Sequence, residues 1–198
     1  MQNFSISDDS TCNDVDSVLE LKSWNVDQDN LSVVNVNIRS LKKNFSKLTT
    51  FLSQVIFKVK IIVVTETWLR SEHDNLLKIK GYNQISMNRV HDSSRRIKSG
   101  GGLRIYSCET LNVDLIPKLS GDFSSHESLF VSISTRNSGN IILGAIYRPP
   151  NKSIVAFNGF LQQNIFNDNF NHNVKYIITG DINIKYIRDV SSYMILHI

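Results

Sequence analysis

The sequence predicts an α/β domain built on mixed or antiparallel sheets, and three observations carry that expectation. Seven short apolar runs rich in β-branched residues alternate with only two stretches of helical period. Short polar turns join several neighbouring runs, whereas a purely parallel sheet needs a long crossover at every step. Hydrophobic residues make up 41% and charged residues 20% of the 198 positions, globular values that exclude gross disorder for most of the chain.

Taken in order, residues 1–30 carry Asp8, Asp9, Asp14, Asp16, Glu20, Asp27 and Asp29 against Lys22 alone, with little periodicity, and read as an acidic flexible leader. Residues 31–38 read as a strand with Val34, Val36 and Ile38 on one face. From there the period turns helical through Leu41, Phe45, Leu48, Leu52, Val55 and Val59, which predicts a helix over 41–59 with one face on a sheet. Residues 60–65 form a run of the buried-strand type, so Glu66 falls at a strand end. Residues 81–88, 103–108, 129–135 and 140–147 read as further strands. A second helix covers 154–166 through Ile154, Phe157, Leu161 and Ile165, and 174–179 is the last strand.

Charge and cysteine usage narrow the classes. The leader balances to −6, which leaves +10 on the rest of a chain whose formal net charge is +4. A basic body of that kind suits a polyanionic partner, and an ordinary soluble basic domain accounts for it equally well. Cys12 and Cys108 make no CxxC pair and lie far apart, so neither a zinc site nor a disulfide framework is indicated, and a reducing compartment fits. Apolar runs such as 61–64 and 141–146 fall well short of the roughly 20 residues of a membrane span. The polar, acidic start is unlike a signal peptide.

The most informative motif is Gly180-Asp181-Ile182-Asn183, directly after the last apolar run. An Asp and an Asn two apart beyond a strand point the same way, toward a shared site, although Gly, Asp and Asn are also ordinary turn residues. Three further elements precede it in one order: Asn37-Ile38-Arg39-Ser40-Leu41, Thr65-Glu66-Thr67-Trp68-Leu69 and Tyr147-Arg148-Pro149-Pro150. A Gly-Tyr pair, a Gly-Gly-Gly strand start and Glu127-Ser128-Leu129 stand between them. This ordered set resembles the endonuclease/exonuclease/phosphatase superfamily, the fold of deoxyribonuclease I and the apurinic/apyrimidinic endonucleases. It is most similar to the endonuclease domain of LINE-type (non-LTR) retrotransposons, over residues 31 to about 187.

The resemblance implies a four-layer α/β sandwich, two facing sheets with helices outside, and hydrolysis of a phosphodiester. Bringing water onto a phosphorus shielded by negative oxygens calls for a hard cation held by carboxylate and amide oxygens. By resemblance Glu66 is the principal Mg2+ ligand with Asn37 beside it, and Mn2+ is an alternative metal. Asp181 would position or activate the attacking water, Asn183 would donate to the phosphate as charge builds, and Tyr147 would add a hydroxyl donor. Each has a plainer reading: Glu66 as an exposed helix-start residue, Asn37 as a turn residue, Tyr147 as a core tyrosine at a strand end. Arg148 either touches the nucleic-acid backbone or solvates the Pro-Pro turn. DNA is the implied partner, favoured over phosphoinositides or sphingomyelin by the basic body and the Thr-Glu-Thr-Trp-Leu wording, with the nucleus as the implied place of work. No membrane and no obligate protein partner are indicated.

Two features sit less simply. The stretch Arg95-Arg96-Ile97-Lys98-Ser99-Gly100-Gly101-Gly102 lacks the GxxxxGK[ST] pattern and precedes a strand, so it is no nucleotide P-loop. It remains either a basic loop facing DNA or a plain hairpin connection. Trp68 is expected to pack after the Glu66 turn. The family's catalytic histidine, preceded by an Asp, follows Gly-Asp-x-Asn after further strands, and 15 residues follow Asn183 here, with Leu196 before His197 where that Asp would stand. The expectation is therefore a domain over 31–198 that is incomplete at its C-terminus, with a catalytically dead remnant, at most a weak nucleic-acid-binding module, as the alternative to a DNA-nicking endonuclease.

Overall fold

A computed structural model describes residues 31–55, 57–73, 75–88, 100–135, 139–166, 174–183 and 196–197. The acidic leader over 1–30 and the basic stretch 95–99 lie outside these residues. Two parallel strand pairs organise the fold. β1 (Val33–Asn37) runs parallel to β2 (Ile61–Thr65), joined by α1 (Leu41–Gln54). β3 (Tyr82–Met87) and β4 (Leu103–Cys108) add to β2 antiparallel, in the order β1-β2-β4-β3.

The second sheet contains β5 (Asn112–Leu115), β6 (Gly121–Asp122), β7 (Glu127–Thr135), β8 (Gly139–Tyr147), β9 (Lys175–Asp181) and β10 (Leu196–His197). Its order is β10-β9-β8-β7-β5, with β6 also on β7. Only β8 and β9 are parallel in it, and α2 (Ile154–Asn164) makes their crossover. Both sheets contain antiparallel pairs, as the short polar turns require.

Three apolar clusters define the layers. Ile61, Val63, Leu103 and Ile105 of the first sheet meet Leu129, Val131, Ile133, Leu143 and Ala145 of the second. Alternation along each strand sends the remaining side chains outward. Leu41 and Leu48 of α1 cover Ile62, Val64 and Tyr106, with Val34 and Val36 at the edge. Phe157 and Leu161 of α2 cover Phe130, Ile146 and Ile178. The result is helix, sheet, sheet, helix: the four-layer sandwich. Among the described residues no helix is long and apolar enough to cross a membrane.

Several boundaries differ from expectation. α1 stops at Gln54, and Val55 is extended at φ −75°, ψ 128°. Its 14 residues span about 21 Å, enough to carry the chain back along a strand of five residues. Val59 is nevertheless buried in the α1 cluster, because the link to β2 folds under the helix. Helical spacing there reported a shared apolar layer, not a continuous helix. α2 likewise ends at Asn164, with Ile165 as its cap. β9 runs on to Asp181, so Gly180 and Asp181 belong to the strand. β5 and β6 were not foreseen; Leu111, Val113 and Leu115 do alternate with polar residues, but the run is short and within β5 only Val113 is half-buried. β10 pairs with β9 at Ile178 and Ile177, so that edge is partly covered.

Candidate active site

Parallel pairing makes the carboxyl ends of β1 and β2 coincide, and likewise those of β8 and β9. Stacking of the sheets brings these two ends together. Asn37 closes β1. Since Val34, Val36 and Ile38 face α1, alternation turns Asn37 toward the second sheet. Its Nδ2 donates to Glu66 Oε1 at 2.9 Å and to Asp181 Oδ2 at 2.6 Å, joining three residues from three strand ends.

Asn37 Oδ1 is buried and has no hydrogen-bond partner among the described residues. An acceptor left so costs on the order of 1–3 kcal/mol, and here it lies beside two carboxylates. Hard oxygen donors such as the Glu66 carboxylate and the Asn37 amide match what Mg2+ or Mn2+ takes, with further positions left to water or phosphate. Among the described residues no group of three or more His, Cys, Asp or Glu side chains assembles. An all-oxygen set suits such an ion better than zinc, which favours nitrogen and sulfur. Glu66 and Asn37 are the residues that would hold it, with Asp181 alongside.

Glu66 leaves β2 in the left-handed region at φ 54°, and Trp68 follows at φ 56°. For residues with a Cβ this conformation is unfavourable, and it persists where surrounding bonds impose it. Those bonds are present. Ser40 N donates to Glu66 O at 2.9 Å, Leu41 N to Thr67 O at 2.9 Å, Thr67 N to Gly102 O at 3.1 Å and Trp68 N to Gly101 O at 3.0 Å. Glu66 does not begin a helix, and Trp68 is 38% exposed. Gly101 and Gly102, the last two residues of the glycine run, pack against this turn. Their carbonyls support the Glu66 turn, and Gly102 N donates to Glu127 Oε2 at 2.5 Å. A Cβ at Gly101 would overlap Glu127, and one at Gly102 would overlap Thr67.

On the second sheet the register sets Glu127, Tyr147 and Asp181 side by side on β7, β8 and β9. Tyr147 is buried in the core between the sheets, and its hydroxyl reaches the Gly100 edge, where a Cβ would lie 3.7 Å from Oη. Asp181 is 9% exposed. Burial pushes its carboxyl above the usual carboxylate range; the Asn37 hydrogen bond opposes this, the Glu66 charge adds to it, and hydrogen bonds from Asn183 oppose it. Asn183 sits in the left-handed region at φ 48° and donates Nδ2 to Arg148 O at 3.0 Å. Arg148 is 1% exposed, which rules out the solvated turn residue.

Asn37, Glu66 and Asp181 thus form one hydrogen-bonded cluster, Asn183 joins it through Asp181, and Tyr147 occupies the neighbouring strand position. Glu127 was not foreseen as part of this region; its signal was its place in the Glu127-Ser128-Leu129 motif, to which no role was attached. Two histidines with described side chains stand elsewhere. His73 Nδ1 accepts from Arg70 N at 3.2 Å, and His126 is enclosed by Phe123, Phe157 and Phe160.

The four-layer α/β sandwich is a fold shared with solved nucleases and a phosphatase. The endonuclease domain of TRAS1, a telomere-specific non-LTR retrotransposon, is similar with a TM-score of 0.56 at 18% identity, over 77% of this chain and 60% of that one. The AP endonuclease LMAP from Leishmania major is similar with a TM-score of 0.54 at 17% identity, over 81% and 58%. A 3′ phosphatase from Neisseria, bound to a product DNA hairpin, is similar with a TM-score of 0.51 at 15% identity, over 78% and 58%. The chain spans about three-fifths of the length of these structures. No protein-family profile and no curated protein matches the sequence.

Proposed function

We propose that this chain carries the site of a divalent-metal-dependent phosphodiesterase acting on DNA, of the kind used by retrotransposon endonucleases. The observation that carries the reading is the Asn37 amide bridging Glu66 and Asp181 beside an orphaned, buried Oδ1. Glu66 and Asn37 are the expected holders of Mg2+, or of Mn2+ in its place. The ion, when bound, supplies positive charge against the phosphate oxygens.

The remaining chemistry belongs to the chain's own groups. Burial raises the proton affinity of Asp181, which suits a carboxylate that takes a proton from an attacking water. The Asn37 hydrogen bond holds that carboxylate in place. The Tyr147 hydroxyl and the Asn183 side-chain amide would donate to a phosphate oxygen as its charge grows. The basic body, +10 outside residues 1–30, attracts the polyanion.

A second reading, metal and DNA binding without turnover, is favoured by one specific observation. Among the described residues the histidines that have side-chain contacts, His73 and His126, serve other places. Relaxation of supercoiled plasmid separates the two. Nicking that needs Mg2+ and vanishes in Glu66→Ala establishes the enzyme; retention of DNA and Mn2+ on an intact plasmid establishes the binding module. A wild-type protein that takes up neither refutes both.

A further inference from the structure

We propose that Arg148 is the positioning residue of this site: its buried guanidinium fixes the Asp181–Asn183 end of β9, and it does not contact nucleic acid. At 1% exposure the side chain is out of reach of a phosphate backbone. Its donors go to main-chain carbonyls on two sides. Nε donates to Ile182 O at 2.7 Å and Nη2 to Asn183 O, while Nη1 donates to Lys152 O at 2.6 Å and Pro149 O at 3.2 Å. The main chain of Arg148 completes the clasp. Its N–H donates to Asp181 O at 2.9 Å, and its carbonyl accepts from Asn183 Nδ2 at 3.0 Å. Asp181, Ile182 and Asn183 are therefore each bonded to one residue.

That segment needs an external hold. Gly180 has φ 139° and Asn183 φ 48°, conformations that Gly and Asn tolerate better than other residues but that do not by themselves fix where Asp181 lies between them. Asp181 must nonetheless stay within hydrogen-bond reach of Asn37. A guanidinium can do this because its planar fork addresses two carbonyls on one edge and the Pro149–Lys152 turn on the other; an ammonium on a flexible stem has no such geometry. The same fork ties the segment to the turn that leads into α2. Sequence reading left Arg148 between a DNA contact and a solvated turn residue, and the inward side chain answers with a third role.

That this hold serves a metal site rests on the function proposed above; the hold itself does not. The test uses Arg148→Ala and Arg148→Lys in the full chain, with wild type alongside. Hydrogen exchange in the peptide 174–183 reads the segment, and Mn2+ titration followed by electron paramagnetic resonance reads the site. With cooperative melting retained, both variants should exchange faster in this peptide and no faster in β2 or β4. Mn2+ affinity should fall about 10- to 100-fold, the range for removing a partner that orients a ligand. Methylguanidinium should restore both readings in Arg148→Ala and neither in Arg148→Lys. If Arg148→Ala does not fold, Arg148→Lys carries the comparison.

Unchanged exchange and unchanged Mn2+ affinity in a folded variant overturn the proposal. So does unchanged exchange together with weaker DNA binding and a salt slope lowered by about one, the signature of a phosphate contact. A wild-type protein that binds no Mn2+ refutes the proposed function, and the exchange comparison still decides the role of Arg148.

Discussion

Asn37 and Asp181 end strands of different sheets, 144 positions apart in the chain, and the Asn37 Nδ2 donates to Asp181 Oδ2 at 2.6 Å. The same nitrogen serves Glu66 Oε1 at 2.9 Å, so one amide mediates between two carboxylates that would otherwise face each other unrelieved.

Asn37→Ala should therefore destabilise the metal-free protein by about 1–3 kcal/mol, the cost of leaving buried polar groups without their partner. Added Mg2+ should recover less of the loss than it adds to wild type, since the amide oxygen is gone as a ligand as well. Thermal melts of both proteins with and without Mg2+ check this; equal melting temperatures without metal would remove the amide's structural role.

Two glycines should respond in opposite directions. At Gly180, φ is 139° and a Cβ would overlap the Ile146 carbonyl, which is backbone of the parallel partner strand and cannot step aside. Gly180→Ala should cost more than about 4 kcal/mol, a loss confined to a few mechanisms of which backbone strain is one. Gly159 lies in α2 with nothing within 4 Å of an added Cβ. Gly159→Ala should stabilise by about 0.5–1 kcal/mol. Urea midpoints for the pair measure both.

His126 makes stability depend on pH. Burial pushes its imidazole down to about 4 from an ordinary 6.5. Its ring is enclosed by Phe123, Phe157 and Phe160, and Nδ1 is engaged by Ser125 Oγ at 2.9 Å. The unfolded chain takes up a proton at this residue as pH drops below about 6.5, whereas the folded chain holds out until about 4. The stabilising contribution is thus full above that window and is lost as pH falls through it. His126→Phe, which extends the aromatic cluster without a titrating group, should flatten the pH dependence of the melting temperature between pH 6.5 and 4. An unchanged slope would assign that dependence to other groups.

Most of the layer order was legible because alternation and helical spacing both report burial, and burial is what the sandwich is made of. Val34, Val36 and Ile38 share the face that meets α1, as their spacing indicates. Asn37, Glu66 and Asp181 were legible as polar residues placed just where apolar runs stop. The limits have the same origin. Val59 kept helical spacing while lying in a loop, because the loop is buried under the same helix. Arg148 gave no sign of turning inward, since its partners are carbonyls of residues 149, 152, 182 and 183, and carbonyls carry no sequence identity. The contact of Glu127 with the glycines before β4 joins residues 25 positions apart through a gap that only missing Cβ atoms leave open.

The most direct measurement is Mn2+ binding to wild type and to Glu66→Gln, followed by electron paramagnetic resonance with Mg2+ as competitor. Glu66→Gln keeps the side-chain shape and removes the charge, so any loss of binding reflects the carboxylate. Mn2+ uptake is expected at Asn37 and Glu66, displaced by Mg2+ and abolished in Glu66→Gln, with the variant melting no lower than wild type. Uptake of Mn2+ that Glu66→Gln leaves intact, or no uptake by a folded wild-type protein, would contradict it.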